Sequence, residues 1–190
     1  MRQVSPSFHP VLRLFHWVMA IMVIAMIFIG VGMVSAAGPL FPRLLAIHRP
    51  LGIAILVMVL IRLPLRLSLG APALPADLSP VQAFAARLSH VLLYAAMVCQ
   101  PLIGWAMLSA GGYPVQLWPG VLLPPILPHD LHLYATLRPL HGLVARLLFA
   151  LIVLHVAAAL SHGLIRRDGV LRSMTIGQRS RRADTPSARA

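Results

Sequence analysis

Five histidines lie inside long apolar stretches of the sequence, where an ionisable side chain is costly and usually serves a function. They are His16, His48, His90, His141 and His155. Neutral imidazole is a common ligand of transition metals, and facing helices of a bundle can bring two imidazoles together. These residues therefore indicate a metal-binding or redox function.

His141 and His155 share one apolar stretch and are separated by 14 residues. At about 1.5 Å per residue they would lie about 21 Å apart along one helix, and their directions would differ by only about 40°. The spacing predicts that a single helix presents one imidazole at each of two levels of a membrane.

A low-spin haem takes two axial ligands from opposite sides. At the level of His141 the other intramembrane histidine is His48, so depth pairs these two. At the level of His155 there are two candidates, His16 and His90, and depth does not choose between them. The pattern predicts two haems held between helices.

Four apolar stretches must position these histidines. Hydrophobic residues make up 59% of the 190 residues and charged residues 11%, and a spanning helix needs about 20 apolar residues. The sequence predicts an all-α integral membrane four-helix bundle as one domain over residues 1–172, with a basic flexible tail over 173–190. The predicted spans cover residues 11–37, 44–67, 84–110 and 138–165, and the proline-rich residues 111–136 form a long loop.

The net charge of +12 comes mainly from arginines in the termini and connections, a distribution typical of membrane topology rather than of nucleic-acid binding. Most arginines lie in the N-terminal segment, the second connection and the tail. The opposite side receives only Arg43, Arg49 and Arg138. Both termini are therefore expected in the cytoplasm, with His48 and His141 at the outer level.

A proton path, a metal-ion path or a haem-free transporter is the alternative from a different functional class. Such sites normally use buried carboxylates. The four acidic residues, Asp77, Asp130, Asp168 and Asp184, all lie outside the predicted spans, and the single cysteine, Cys99, cannot form an internal disulfide. The sequence therefore favours haem over these alternatives.

Three further polar residues are candidates for contact with a cofactor. Arg146 lies inside the fourth span, five residues after His141, where an unpaired cation would be expensive, so we expect a haem propionate or loop carbonyls beside it. Arg62 is a candidate partner of the inner haem. His162 lies near the inner headgroups, where a propionate or a quinone is a candidate ligand.

Five segments together resemble the bacterial cytochrome b561 family, the four-helix, two-haem inner-membrane kind that includes superoxide oxidase. The similarity extends over about residues 12–172. Its segments are RLFHW, AIHRPLG, VLIRLPLRL, LSHVLLYAAMVCQPLIGW and LRPLHGLVARLLFALIVLHVAAALSHG.

The resemblance implies that two haem b groups are held by four axial histidine ligands, His16 with His155 and His48 with His141. His90 would then lie beside the haem or on the quinone side, together with Arg62 and His162. It implies an oxidoreductase of the bacterial inner membrane that passes electrons from superoxide or a periplasmic redox partner to ubiquinone in the respiratory chain. The alternative is a haem-bearing anchor between quinone and a partner protein, and a homodimer is a candidate assembly.

Overall fold

The computed structural model describes residues 7–176, so it includes the first four residues of the predicted tail over 173–190, and the rest of that tail lies outside the described residues. Four long helices form the protein: α1 (Pro10–Ser35), α2 (Leu40–Leu69), α3 (Pro80–Ala110) and α4 (Leu131–Leu160). Each is long and apolar enough to cross a membrane. The four helices confirm the predicted integral membrane four-helix bundle.

Local sequence signals set where the helices begin. Ser79 caps α3 in a capping box with Gln82, and Pro80 follows at the first helical position. The Asp130 carboxylate caps α4 by accepting hydrogen bonds from the His132 and Leu133 amides at 2.8 and 3.1 Å. This cap starts α4 at Leu131, ahead of the predicted residue 138.

The connection between α3 and α4 contains a short antiparallel hairpin, β1 (Val115–Trp118) and β2 (Val121–Leu123). Gly120 takes a φ of 84° in the turn between the strands, a conformation that favours glycine. The predicted long loop is therefore partly folded. It contains both strands of the described residues.

Large apolar side chains cover the outside of the bundle, as expected of helices that face lipid. Helix α1 packs on α2, α2 on α3, and α3 on α4. A small core around Met19, Leu56 and Val59 joins α1 and α2, and Tyr94 and Met97 of α3 pack against it.

Beyond Leu160 the last helix continues as a π-helix over Ser161–Arg166, and a short helix, α5 (Val170–Met174), then folds back towards the start of α1. The Phe8 amide donates to the Ser173 carbonyl at 3.3 Å, and the Trp17 indole donates to the Met174 carbonyl at 3.1 Å. The two described ends of the chain therefore meet at one end of the bundle, which we call the inner end.

The packing of α5 depends on the missing side chain of Gly163. A Cβ atom built there would lie 3.2 Å from the Cβ of Leu171 and still closer to the end of its side chain. We expect Gly163→Ala to push α5 off the π-helix at a cost of about 1–3 kcal/mol, as overpacking usually does. Hydrogen exchange at the α5 amides should become faster. Gly30→Ala is the control, because nothing lies within 4 Å of its Cβ, and equal exchange in both variants would contradict this account.

Candidate functional site

The histidines predicted to face one another do so at two levels of the bundle. At the outer level, the ring centroids of His48 on α2 and His141 on α4 lie 6.2 Å apart, with ring planes at 68°. At the inner level, the centroids of His16 on α1 and His155 on α4 are also 6.2 Å apart, with planes at 67°. We call these the outer pair and the inner pair.

Both separations suit a shared iron atom. Metal–nitrogen bonds to imidazole are about 2 Å long, so two rings on opposite sides of one metal ion have centroids roughly 6 Å apart. The four rings are mostly enclosed but not fully buried. The donor set of each pair therefore fits a haem iron with two imidazole ligands.

His90 also lies beside His155, with 5.5 Å between ring centroids and planes at 83°. Its Nδ1 donates a hydrogen bond of 2.6 Å to the Ala86 carbonyl one turn earlier. That bond leaves Nε2 with a free lone pair, as in many metal-binding histidines. The structure thus brings both inner candidates against the same partner.

Arg62 is the most deeply buried cation at the inner level, with 7% of its surface exposed. Its Nη1 donates to the Tyr94 hydroxyl at 2.7 Å, and its Nη2 donates to His16 Nδ1 at 3.2 Å. Its Nε has no hydrogen-bond partner, and no carboxylate among the described residues pairs with it. Because a buried charge needs an ionic partner, this position fits an anionic group of a ligand.

Residues of α3 pack closely against the His141 ring of the outer pair. The Gln100 amide donates to both Nε2 and the carbonyl oxygen of His141, each at 3.1 Å. Gly104 lies so close that a Cβ atom there would be 3.1 Å from Cε1 of the His141 ring. The Nδ1 atoms of His48 and His141 are buried without hydrogen-bond partners. The missing side chain of Gly104 therefore leaves room for the His141 ring.

Arg146 and His162 are the remaining candidate residues for contact with a cofactor. Arg146 on α4 is exposed and makes no hydrogen bond or ion pair with any described residue. Its Nη1 reaches back towards Gly142, next to His141, because a Cβ atom at Gly142 would lie 3.5 Å from it. His162 lies in the π-helix, where its Nδ1 is 2.5 Å from an Asp168 carboxylate oxygen.

Sequence reasoning missed three contacting residues, Tyr94, Gln100 and Asp168. Gln100 carried a usable signal, because an amide in the middle of an apolar span needs a partner there. Tyr94 stands one turn after His90, on the same helix face. Asp168 belongs to a very small set of acidic residues, so its position close to His162 was also informative.

A separate cavity of about 400 Å³ lies under the hairpin at the outer end of α3. Mostly apolar side chains line it, together with Tyr113, Ser109 and His129. The Ser109 hydroxyl is already engaged with the Trp105 carbonyl and the Ile126 amide. The cavity does not include either histidine pair.

Comparison with known proteins agrees with these features. The statistical description of the prokaryotic cytochrome b561 family matches residues 7–177. "Probable superoxide oxidase CybB" of Yersinia pestis is 31% identical over 133 residues, which are 70% of this chain and 75% of that protein. "Cytochrome b561 homolog 2" of Escherichia coli (strain K12) is 27% identical over 84% of this chain and 86% of its own length. "Cytochrome b561 homolog 1" of the same strain is 28% identical over 67% of this chain and 72% of its own length.

The family match covers nearly the whole chain, including all four long helices and both histidine pairs. Proteins of this family carry b-type haem. The two pairs of imidazoles, with a buried arginine beside the inner pair, fit that cofactor. The chain therefore belongs to the prokaryotic cytochrome b561 family and is a multi-pass membrane electron-transfer protein.

Proposed function

We propose that this chain carries electrons from a donor at the outer end of the bundle to ubiquinone at the inner end, through two b-type haems. In this proposal the outer pair, His48 and His141, holds one haem, and the inner pair, His16 and His155, holds the other. The observation that carries it is the matched geometry of the pairs, with the same centroid separation and nearly the same ring angle at both levels.

This match also favours His16 over His90 as the partner of His155. The His90 and His155 centroids are closer and their planes are nearly perpendicular, whereas the inner pair repeats the geometry of the outer pair. His90 then lies beside the haem and helps to enclose it.

Arg62 must change partners when His16 ligates iron. An arginine only donates hydrogen bonds, so its contact requires His16 Nδ1 to accept. An imidazole that ligates through Nε2 carries its proton on Nδ1 instead. Arg62 would therefore release His16 if haem is bound, and a haem propionate is the anion with which its guanidinium would pair.

Two arginines are placed to pair with the propionates of a haem at the outer level. Arg146 reaches back along α4 towards the outer pair, as long basic side chains do near a membrane surface. Arg49 follows His48 directly, and its buried Nε has no hydrogen-bond partner. A bound haem takes up and releases one electron at a time, and these cations would stabilise its propionates.

The proposed donor is superoxide, which would leave as dioxygen after giving up one electron. The name of the Yersinia pestis relative supports this choice. Arg43, Arg49 and Arg138 lie towards the outer end in sequence, and their positive charge would raise the encounter rate of a small anion. We place this protein in the bacterial inner membrane with both termini in the cytoplasm, because Arg13, Arg66 and Arg166 lie at the inner end of the described residues.

Rapid mixing of the purified, haem-loaded protein with superoxide tests the donor. We expect reduced haem to form, and its rate of formation to fall as ionic strength rises, because salt screens the arginines from the anion. Added superoxide dismutase should abolish the signal. If no haem is reduced above the background of spontaneous dismutation, superoxide is not the donor, and copurification of a redox partner would then favour a haem-bearing anchor.

A further inference from the structure

Arg62 of α2 is held in place from a second helix, by the Tyr94 hydroxyl of α3. Its Nη1 donates to that oxygen at 2.7 Å, across 32 positions of the chain. The central carbon of the guanidinium lies 5.5 Å from the centroid of the Tyr94 ring. Because the long arginine side chain has many rotamers, this contact restricts where its charge can lie.

The contact with Tyr94 places the guanidinium beside the inner pair. Nη2 of Arg62 donates to His16 Nδ1 at 3.2 Å, and the His16 ring lies 6.2 Å from that of His155. Since Arg62 would release His16 if haem is bound, the Tyr94 hydroxyl is the partner among the described residues that continues to hold it. Tyr94 is therefore placed to keep a positive charge at the inner site.

No carboxylate among the described residues neutralises this charge. The ion pairs that the structure describes join Asp77 and Asp168 to His162 and Arg166, whereas Arg62 is 7% exposed and pairs with none of them. A charge enclosed in this way acts through a medium of low dielectric constant, and dissolved salt screens it much less than a surface charge. Arg62 can therefore influence a redox centre held beside it.

The outer pair has no equivalent buried charge. Arg62 is the only charged side chain of the described residues that is buried, whereas Arg49 is partly enclosed and Arg146 is exposed. The His141 ring contacts the neutral amide of Gln100 instead. A nearby positive charge favours the reduced state of a redox centre, because reduction lowers the charge of that centre by one. The two pairs thus offer different electrostatic surroundings.

We propose that Tyr94 is a positioning residue of the inner redox site: its hydroxyl fixes the Arg62 guanidinium there, and the fixed charge makes the inner site easier to reduce than the outer one. This inference rests on the two-haem electron transfer proposed above. One electron passes between the sites, so the outer iron is oxidised as the inner iron is reduced, and no bond forms or breaks. The contact between Tyr94 and Arg62 would give this transfer its inward direction.

Potentiometric titration of the full, haem-loaded chain in lipid nanodiscs tests this inference without a measurement of turnover. Tyr94→Phe removes the hydroxyl and keeps the ring. It should lower the midpoint potential of the redox component that His16→Leu removes. At a fixed potential, we expect the ratio of reduced to oxidised inner haem to fall by about three- to tenfold, where tenfold equals about 59 mV for one electron. The outer component should keep its wild-type potential.

Tyr134→Phe is the matched control, because it makes the same chemical change on α4, where the Tyr134 ring packs against Tyr113. Both redox components should keep their wild-type potentials in this variant. Equal inner components in Tyr94→Phe and Tyr134→Phe would overturn the inference, whatever the Arg62 variants show.

A double-mutant cycle determines whether Tyr94 acts through Arg62. Arg62→Gln should lower the inner potential further than Tyr94→Phe does, and Tyr94→Phe added to it should cause no further change. Additive shifts would mean that Tyr94 acts independently, which would also overturn the inference.

Arg62→Lys replaces Arg62→Gln in the cycle if the latter does not retain the inner haem. It keeps the charge but lacks the forked donors of arginine, so Tyr94→Phe should shift its inner component by less than it shifts that of the wild type. A shift of equal size would contradict the inference. A wild type with one redox component instead of two would contradict the proposed function, and the component that His16→Leu removes would still test Tyr94.

Discussion

Replacing His48 or His141 with leucine is expected to remove about half of the haem from the purified protein, and replacing His16 or His155 should remove the other half. Each iron needs an imidazole on both faces to stay in a low-spin, tightly held state. The haem-to-protein ratio and a potentiometric titration measure this, because each pair should account for one redox component. Variants of the same pair should lose the same component.

His90→Leu is the matched control, since its ring lies as near to His155 as that of His16 does. We expect it to retain both haems. At most, the redox potential of the inner haem should shift. If His90→Leu loses a haem while His16→Leu keeps both, the inner ligand has been assigned to the wrong helix. A wild-type preparation without a reduced b-type absorption band would instead favour the haem-free transporter.

The four spans and the two histidine levels could be predicted because they depend on local regularities. An apolar stretch long enough to cross the bilayer is helical, since no other open backbone satisfies its hydrogen bonds there. Once it is helical, residue spacing gives depth directly, and the 14 residues between His141 and His155 predict two different levels. The pairing of His48 with His141 then needed only these depths, and both rings face each other in the structure.

The inner partner of His155 could not be predicted from depth, because depth leaves rotation about the helix axis undetermined. His16 and His90 do lie on either side of the same ring, so the ambiguity reflects a real feature of the site. Helix α4 begins at Leu131, ahead of the predicted residue 138, for another reason. The prolines before Asp130 suggested a loop, whereas a single carboxylate cap is enough to begin a helix directly after them.

A polar residue inside a span indicates that it needs a partner, but the sequence does not identify the partner, because the contacts around the histidines join residues far apart in the chain. Arg62 meets Tyr94 across 32 positions, and Gln100 meets His141 across 41. Each contact depends on helix rotation and on side-chain rotamers rather than on composition. The packing of α5 near the N-terminal end of α1 could not be predicted either, because it depends on the close approach between Leu171 and Gly163.

Gly104→Val is expected to remove the outer haem and leave the inner haem in place. Even a Cβ atom at this position would lie 3.1 Å from Cε1 and 3.4 Å from Nδ1 of the His141 ring, and valine adds two methyl groups to it. The ring would have to move, and metal sites tolerate displacements of only about 0.5 Å before ligation suffers. Haem content should fall by about half, with loss of the redox component that His141→Leu also removes.

The control for this steric argument is Gly30→Val on α1, where a Cβ atom meets nothing within 4 Å. Both substitutions put the same β-branched residue into a membrane helix, so they share any cost in helix propensity. Gly104→Ala should give an intermediate loss of the outer haem, because its single methyl group needs a shift of only a few tenths of an ångström. If Gly104→Val and Gly30→Val hold equal amounts of haem, His141 does not ligate iron from the position beside Gly104. The outer haem would then have to be bound by a different arrangement of α2, α3 and α4.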